Sequence, residues 1–292
     1  MSQAPTDVPS LFDLTTPDEG QSEEERWLAE VWDKEIAPQY SGPHRKLLLR
    51  DLHLPPRAQV LVAGCATGAI IPRLLKGMEN TDQGRIIALE ARAALLNRAR
   101  IRTADCDPRR VFLRSEPLQS LKFADNVFDV VVSNLVWLDL ADPGSALREF
   151  FRVLTPQGRL LLGFPAQGTF QEIFDFFAEV TLKHELPTVQ RNLDALRRRC
   201  FPAATEIHNA LEAIGFGDVT HAEEEHQLTF ASGQAFVDSA LVRGLFGPRW
   251  HEAAGEQTDM LLARTQETID TYYDGEPCTV QLVAAMASGV KP

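Results

Sequence analysis

The segment VLVAGCATG at residues 60–68 is the most informative part of this sequence. Its first half is a short apolar run typical of a buried strand, and its second half is a turn of small residues. The following segment, AIIPRLL at 69–75, has the apolar spacing of a helix. This order predicts a strand, a tight loop and a helix start, where free backbone N–H groups can approach a bound molecule. A Gly-x-x-x-Gly turn alone is weak support for a ligand site, because many α/β loops need glycine for steric reasons.

A second apolar run, IIAL at 86–89, ends in Glu90, twenty-two residues after Gly68. In nucleotide-binding α/β domains, an acidic residue about 20 positions after the glycine turn holds the ribose hydroxyls. A carboxylate suits this role because it can accept from both vicinal hydroxyls at once. The alternative is that Glu90 is a solvated residue at a helix start. Spacing and strand context together favour the ribose role.

The third segment, DNVFDVVVSNL at 125–135, predicts a turn and a β-branched core strand that stops at Ser133 and Asn134. Apolar residues at helical spacing then predict a helix over 146–154. The turn PQG at 156–158 leads into another buried strand over 159–164.

These segments, with IIALEAR at 86–92 and the whole run at 123–165, resemble the successive motifs of class I S-adenosylmethionine-dependent methyltransferases, most closely the type 11 group. The resemblance covers about residues 55 to 165. A short run, QGTFQE at 167–172, also resembles the malonyl-acyl-carrier-protein O-methyltransferases. The resemblance implies an α/β fold with a Rossmann-like, doubly wound, seven-stranded and mainly parallel sheet that carries helical cap insertions. It also implies S-adenosyl-L-methionine as the cofactor.

By position, the resemblance implies a cofactor site with four parts. The loop after the first strand lies beside the methionyl group, Glu90 holds the ribose, the segment at 116–118 flanks the adenine, and the end of the fourth strand faces the transferring methyl. The implied cofactor-binding residues are Ala63, Gly64, Cys65, Ala66, Gly68, Glu90, Ala91, Glu116, Leu118, Ser133 and Asn134. The catalytic residue is unknown, and no metal is expected.

Three positions depart from the family pattern. The family usually has an acidic residue where this chain has Val62, and losing one charge-assisted contact weakens binding by roughly 1.5–3 kcal/mol. Ala66 stands where the family has glycine, which we expect to cost little if its φ is negative. Pro117 aligns with an acidic adenine-contacting position, for which neighbouring Glu116 is a substitute.

The domain organisation follows from the pattern outside these motifs. Residues 1–22 are rich in Pro, Ser, Thr and acids, which predicts a disordered tail, and residues 23–292 form the methyltransferase domain. Helices over 23–52 are expected to cover the cofactor pocket, with a break at 40–43, and a tyrosine near Tyr40 can reach the pocket in this family. Helical insertions are predicted at about 166–203 and 232–270, with a helix over 204–214, a strand over 218–230 and a closing antiparallel strand over 278–287 between and after them.

Composition bounds the function without choosing it. The 292 residues carry a formal net charge of −12, which argues against nucleic acid as a partner. The arginines at 191 and 197–199 are either a solvated helix face or a landing site for an acidic partner such as a carrier protein. No membrane span or secretory signal is apparent, so a cytoplasmic protein is expected, and the oligomeric state is unknown. Four scattered cysteines suggest neither disulfides nor zinc, and the run HAEEEH at 221–226 is interpreted as an exposed sheet edge rather than a metal site.

Two functions remain open from the sequence. The first is methyl transfer to a small-molecule or carrier-linked acceptor, with a carboxylate oxygen as one candidate because it needs no general base. The second is a catalytically inactive methyltransferase-fold protein that acts as a binding, regulatory or assembly partner, an alternative supported by Val62 and Pro117. Asp139, His184 and His208 are possible bases by residue type alone.

Overall fold

The computed structural model describes residues 22–78 and 83–292. The predicted tail therefore lies outside the described residues, except for Ser22, whose hydroxyl accepts the N–H of Glu25 at 3.1 Å and caps the first helix. Three glutamates at 23–25 follow this cap, where their charge is favourable at the positive end of the helix dipole.

The core of the protein is one seven-stranded sheet. Its strands are β1 (Gln59–Ala63), β2 (Arg85–Leu89), β3 (Val111–Arg114), β4 (Phe128–Asn134), β5 (Leu154–Pro165), β6 (Gly217–Phe230) and β7 (Cys278–Val290). They lie side by side in the order β3-β2-β1-β4-β5-β7-β6. The first five are parallel, and β7 is antiparallel to both β5 and β6. The predicted Rossmann-like, mainly parallel fold is confirmed.

Alternation along the strands divides the core into two layers. In β1, Val60 and Val62 pack on one face of the sheet, whereas Leu61 and Ala63 pack on the other. In β4, Val131 shares the layer of Leu61 and Ala63. Both faces of these central strands are buried, which explains why their sequences are continuous apolar runs rather than alternating ones.

Eleven α-helices are described. They are α1 (Glu23–Val31), α2 (Gly42–Leu48), α3 (Ile71–Gly77), α4 (Ala93–Arg102), α5 (Pro143–Val153), α6 (Gln171–Lys183), α7 (Pro187–Cys200), α8 (Ala204–Ile214), α9 (Gly233–Val237), α10 (Gly247–Ala254) and α11 (Thr258–Tyr273). Helices α2, α3 and α4 cover one face of the sheet, and α5 and α8 cover the other. Helices α6 and α7 fall within the first predicted insertion, and α9 to α11 fall within or just beyond the second.

The predicted break between the N-terminal helices does not occur. A π-helical segment, Trp32–Ser41, joins α1 to α2 without interruption, and Pro38 lies inside it. Pro38 has no N–H to donate within the helix, and the N–H of Gly42 bonds to the carbonyl of Ala37, five residues earlier, as in a π-helix. A Cβ on Gly42 would lie 2.7 Å from that carbonyl oxygen, so this close turn needs glycine.

The β5 region also differs from the prediction. The strand begins at Leu154, directly after α5, and carries the predicted turn within it as an irregularity of its pairing with β4. Gln157 adopts a φ of +66° at this point. The residues before and after this turn therefore belong to one strand with a bulge, because both parts pair with β4.

A second hydrophobic core lies between the helical insertions and the N-terminal helices. Its centre is a group of aromatic rings contributed by several separate elements, including Tyr40, Phe170, Phe246 and Trp250. Residues 23–41 and the helices α6, α7 and α9 to α11 therefore form a cap with a packed interior of its own beside the sheet. In the described parts of the chain, no helix is long and apolar enough to cross a lipid bilayer.

Candidate functional site

A cavity of about 330 Å³ opens at the carboxyl ends of the parallel strands. Its walls come from the segments that follow β1, β2, β3 and β4, and from the N-terminal helices of the cap. Neighbouring strands lie about 4.8 Å apart, so the four strand ends span roughly 14 Å. Ligands of open α/β sheets bind in this kind of crevice outside the carboxyl ends of the strands.

The loop after β1 is held against β2 by its backbone. The N–H groups of Gly64 and Cys65 both donate to the carbonyl of Leu89, at 2.9 and 2.8 Å. Gly64 has a φ of +78°, and a Cβ on it would lie 2.0 Å from a methyl group of Val136. Only glycine fits this position, because any side chain would collide with the segment after β4.

Ala66 corrects one expectation from the sequence. Its φ is +47°, so the alanine that replaces the family's glycine is in the left-handed region rather than at negative φ. This conformation costs a non-glycine residue about 1–2 kcal/mol. The N–H of Ala66 donates to the Oε2 atom of Glu90 at 2.8 Å, which holds the loop in this conformation.

Glu90 forms the floor of the cavity at the end of β2. Its other oxygen, Oε1, accepts the N–H of Arg92 at 3.0 Å. Burial raises the pKa of Glu90 above its usual value, and the charge of Arg92 and the two backbone N–H groups oppose this rise. The site therefore contains a buried carboxylate whose two oxygens both face donors.

Eight of the eleven sequence-predicted site residues line the cavity, and three do not. The lining residues are Gly64, Cys65, Ala66, Glu90, Ala91, Glu116, Leu118 and Asn134. Ala63 and Ser133 are paired neighbours on β1 and β4, and both are fully buried and do not line the cavity. Gly68 has a φ of +76° and packs against Ala99, where a Cβ would come within 3.1 Å. Its glycine is needed for the close approach of the loop to α4.

The segment after β3 closes one end of the cavity. Glu116 is buried there, with Oε2 accepting the N–H of Lys122 at 3.4 Å and Oε1 3.5 Å from a guanidinium nitrogen of Arg114. Pro117 and Leu118 add apolar wall beside it. A carboxylate thus lies in this wall one residue before the proline, as the sequence suggests.

An ionic bridge over the cavity was not predicted. The Oδ1 atom of Asp139 accepts from Arg92 at 2.8 Å and from Arg249 at 2.7 Å, and both arginine side chains are only 11% exposed. Arg249 lies on α10, and it also donates to the carbonyl of Leu138 at 3.0 Å. Because Arg249 lies 110 residues beyond Asp139, no local pattern indicates this contact.

Three residues of the N-terminal helices, which the sequence did not predict as site residues, also line the cavity. Trp32 and Ser41 from the π-helical segment and Arg45 from α2 line it, together with Val62 and Asn134. The amide nitrogen of Asn134 donates to the carbonyl of Ser41 at 3.4 Å, which ties the cap to the end of β4. An amphipathic N-terminal helix indicates packing, but not which of its polar residues faces a cavity.

The remaining candidates lie elsewhere. Tyr40 is 1% exposed and packs against Phe246, so it belongs to the core of the cap rather than to the cavity wall. His184 follows the exposed end of α6, and His208 on α8 contacts His221 with 3.3 Å between the Nδ1 atoms. Neither histidine lines the cavity. The strand with the HAEEEH run is the sheet edge, as predicted. Within residues 22–78 and 83–292, no cluster of three or more metal-ligating side chains is found.

Comparison with known proteins agrees with this geometry. The sequence profile of a family described as a methyltransferase domain matches residues 61–162. Demethylmenaquinone methyltransferase from Lactiplantibacillus plantarum is 34% identical over 138 residues, which are 43% of this chain and 57% of that protein. Malonyl-[acyl-carrier protein] O-methyltransferase from Yersinia pestis is 28% identical over 212 residues, which are 67% of this chain and 74% of that protein.

A solved structure shares the fold. Phosphoethanolamine N-methyltransferase 2 from Haemonchus contortus, in complex with phosphomonomethylethanolamine and S-adenosylhomocysteine, superposes with a TM-score of 0.52 and 16% identity, covering 86% of this chain and 52% of that one. Over residues 61–162 the chain thus resembles the class I S-adenosylmethionine-dependent methyltransferases, whose fold it shares and whose cofactor is S-adenosylmethionine.

Proposed function

We propose that the protein transfers a methyl group from S-adenosylmethionine to a carboxylate oxygen of a small-molecule or carrier-linked acceptor. The observation that carries the proposal is the buried carboxylate of Glu90 in a cavity at the carboxyl ends of the strands. Such a carboxylate can accept hydrogen bonds from two vicinal hydroxyl groups, which are the recognition feature of a ribose.

The cavity residues fit an adenosyl group joined to an amino acid. The cavity has room for an extended ligand along the four strand ends, with Leu118 and Pro117 as apolar surface for a flat base at one end. Glu116 offers carboxylate oxygens beside that surface. We assign Gly64, Cys65 and Ala66 to the backbone that approaches the ligand, and Asn134 to its amino-acid end. Bound S-adenosylmethionine supplies a methyl group on a sulfonium, which is already a good leaving group.

The titratable groups of the lining favour an acceptor that needs no deprotonation. Glu90 accepts two backbone N–H groups, and Asp139 bridges two arginines. Burial raises the pKa of the Cys65 thiol well above its usual value, so the thiol stays protonated near neutral pH. No histidine is found among the described lining residues. A carboxylate acceptor is already ionised and requires only positioning and exclusion of water.

A carrier-linked acceptor is supported by the surface beside the cavity. The carbonyl of Arg199 accepts the indole N–H of Trp137 at 3.1 Å, which brings the end of α7 close to the cavity wall after β4. Arg197 stacks 5.5 Å from the ring centre of Phe174, and Arg199 pairs with Glu252. Arg198 and Arg199 are both exposed. An exposed positive helix end suits an acidic carrier protein. A cytoplasmic location stays a prediction.

The experiment measures binding first and transfer second. Calorimetry with S-adenosylhomocysteine is expected to give a dissociation constant in the micromolar range. The protein is then incubated with S-adenosylmethionine and a malonyl group on acyl-carrier protein, with the acetyl-loaded carrier as matched control. We expect a methyl ester, seen as a mass gain that alkali removes, on the malonyl carrier alone.

Each outcome decides one part of the proposal. Absence of binding at millimolar S-adenosylhomocysteine contradicts the enzyme proposal and favours the inactive alternative, a binding or assembly partner. Binding with methylation of a demethylmenaquinone analogue, but of no carboxylate, would keep the family activity and reject the acceptor class. Equal labelling of malonyl and acetyl carriers would also reject the carboxylate, because acetyl offers no free one.

A further inference from the structure

Arg45 is a half-buried cation in the cavity wall. It projects from α2 at the end of the cavity opposite Glu116, where Ser41 and Asn134 also lie. Among the described residues, no hydrogen bond or ion pair is found for its guanidinium group. Burial, together with the charge of Arg102, lowers its pKa, and Asp33 opposes this effect. The arginine is therefore a positive charge without a contacting anion.

Asp33 is the acidic residue whose charge acts on Arg45, but its carboxylate already accepts hydrogen bonds from two other side chains. Its Oδ1 atom accepts the hydroxyl of Thr67 at 2.7 Å, and its Oδ2 atom accepts from the guanidinium group of Arg102. These contacts tie the π-helical segment to the loop after β1 and to the end of α4. Asp33 is not part of the cavity wall. It stabilises the cap and leaves Arg45 free to meet a ligand.

The three carboxylates of the described cavity wall, Glu90, Glu116 and Asp139, all accept hydrogen bonds from groups of the protein. Val62, the second-last residue of β1, lines the cavity and is apolar and 1% exposed. The described wall therefore offers one positive charge without a partner, that of Arg45, and no negative charge without one. This arrangement attracts an anion and offers no ionic partner to an ammonium group.

We propose that Arg45 binds the carboxylate of the methionyl group, and that the site recognises this carboxylate while largely ignoring the neighbouring ammonium. The inference rests on the proposed function, since it concerns the same cavity. A guanidinium fork matches a carboxylate with two parallel hydrogen bonds, so one arginine is enough to hold that end. Val62 then removes recognition of the amine rather than recognition of the cofactor as a whole.

If Arg45 binds the carboxylate, removing the carboxyl group of the ligand should weaken binding more than removing its amino group. An acidic residue at position 62 would favour the opposite order. Charge-assisted contacts of this kind change affinity by roughly 10- to 100-fold. We therefore expect the decarboxylated analogue of S-adenosylhomocysteine to bind about 10- to 100-fold more weakly than the parent compound. The deaminated analogue, which keeps the carboxylate, is expected to bind within about threefold of the parent.

Calorimetric titration of the full chain with the three compounds tests this, in the wild type, Arg45→Gln and Arg45→Lys. Arg45→Gln is expected to bind the parent as weakly as the decarboxylated analogue, so that the penalty for removing the carboxyl group disappears. Arg45→Lys keeps the charge and is expected to restore part of the difference. Lys46→Gln is the matched control, because it removes a neighbouring positive charge from the exposed side of the same helix.

Val62→Asp provides an independent arm. In a folded variant, the decarboxylated analogue, which keeps the amine, is expected to bind more tightly than it does to the wild type. Unchanged affinity for that analogue overturns the inference that Val62 removes an ionic partner of the ligand's amino group. Loss of affinity in Arg45→Gln that is equal for all three compounds overturns the role of Arg45.

The two proposals fail in different ways. If the wild type does not bind S-adenosylhomocysteine at millimolar concentration, both the proposed function and this inference are wrong. If it binds the parent and the decarboxylated analogue equally well, only this inference is overturned, because the cavity then holds the adenosyl group without using the carboxylate.

Discussion

Replacement of Glu90 by glutamine is the perturbation that the geometry defines most sharply. The carboxylate accepts the N–H groups of Ala66 and Arg92 at 2.8 and 3.0 Å. A glutamine side chain has one carbonyl oxygen for these two donors, and its NH₂ group must face the other. One backbone donor is then left unsatisfied at a buried position, which costs about 1–3 kcal/mol.

The loss of stability is partly offset, because the substitution also removes a carboxylate from a buried site. Burial raises its pKa, which shows that the charged form is disfavoured there. The expected net loss is about 1–2 kcal/mol of unfolding free energy. For a domain of this size that corresponds to a fall in Tm of roughly 2–6 °C.

The effect on ligand binding is expected to be larger than the effect on folding. The amide accepts with one oxygen and without charge, so we expect S-adenosylhomocysteine to bind about 10- to 100-fold more weakly to Glu90→Gln. Asp129→Asn is the matched control. The Oδ2 atom of Asp129 also accepts a backbone N–H, that of Gln59 at 2.8 Å, but at the amino end of the strands and away from the cavity. It should lower Tm without changing affinity.

The pH dependence adds a second readout. Because the pKa of Glu90 is raised, the folded protein binds this proton more tightly than the unfolded chain does. The contribution of Glu90 to stability is therefore greatest below pH 4.5, its usual pKa, and declines as the pH rises through the pKa of the folded state. Ligand binding has the opposite sign, because the ribose needs the ionised form. Affinity is expected to fall on acidification already above pH 4.5, and only in the wild type. Binding by Glu90→Gln within threefold of the wild type refutes the ribose assignment.

Two further predictions concern the framework of the site. Asp139→Asn removes the negative charge between Arg92 and Arg249, which are almost buried. Urea unfolding is expected to show a loss of about 2–4 kcal/mol in the free energy of unfolding. The surface variant Glu252→Gln should lower it by less than about 1 kcal/mol. Equal costs for the two variants would contradict the bridge. Ala66→Gly relieves a residue at φ +47° and is expected to raise stability by up to about 1 kcal/mol; a fall in Tm would show that the alanine is not strained.

The sheet and the floor of the site were predictable from the sequence because both depend on local order. Residues 60–68 place a strand, a glycine turn and a helix start in succession, and the run at 86–90 repeats the strand with an acid at its end. Parallel strands bring such ends to one edge of the sheet, so Gly64 and Glu90 had to lie close together. The resemblance to a known family added the remaining strands and the cofactor.

Which side chains reach the cavity was decided by the tertiary structure. Ala63 and Ser133 lie in the motif but do not line the cavity, because packing buries both side chains completely. The sign of φ at Ala66 depends on the loop being pulled onto Glu90, which no propensity of alanine indicates. In place of the break expected at 40–43, the helix continues, and the N–H of Gly42 bonds to the carbonyl of Ala37 five residues earlier.

Sequence alone determined that this protein is a parallel α/β domain with a carboxylate behind its glycine loop, since those features follow from patterns a few residues long. Only the fold decided which arginines lie at or beside the cavity. Arg45 comes from a helix before the sheet and Arg249 from a helix near the end of the chain, and cap packing carries both to the strand ends. Contacts between segments so distant in sequence depend on the burial of whole helix faces, which no local pattern encodes.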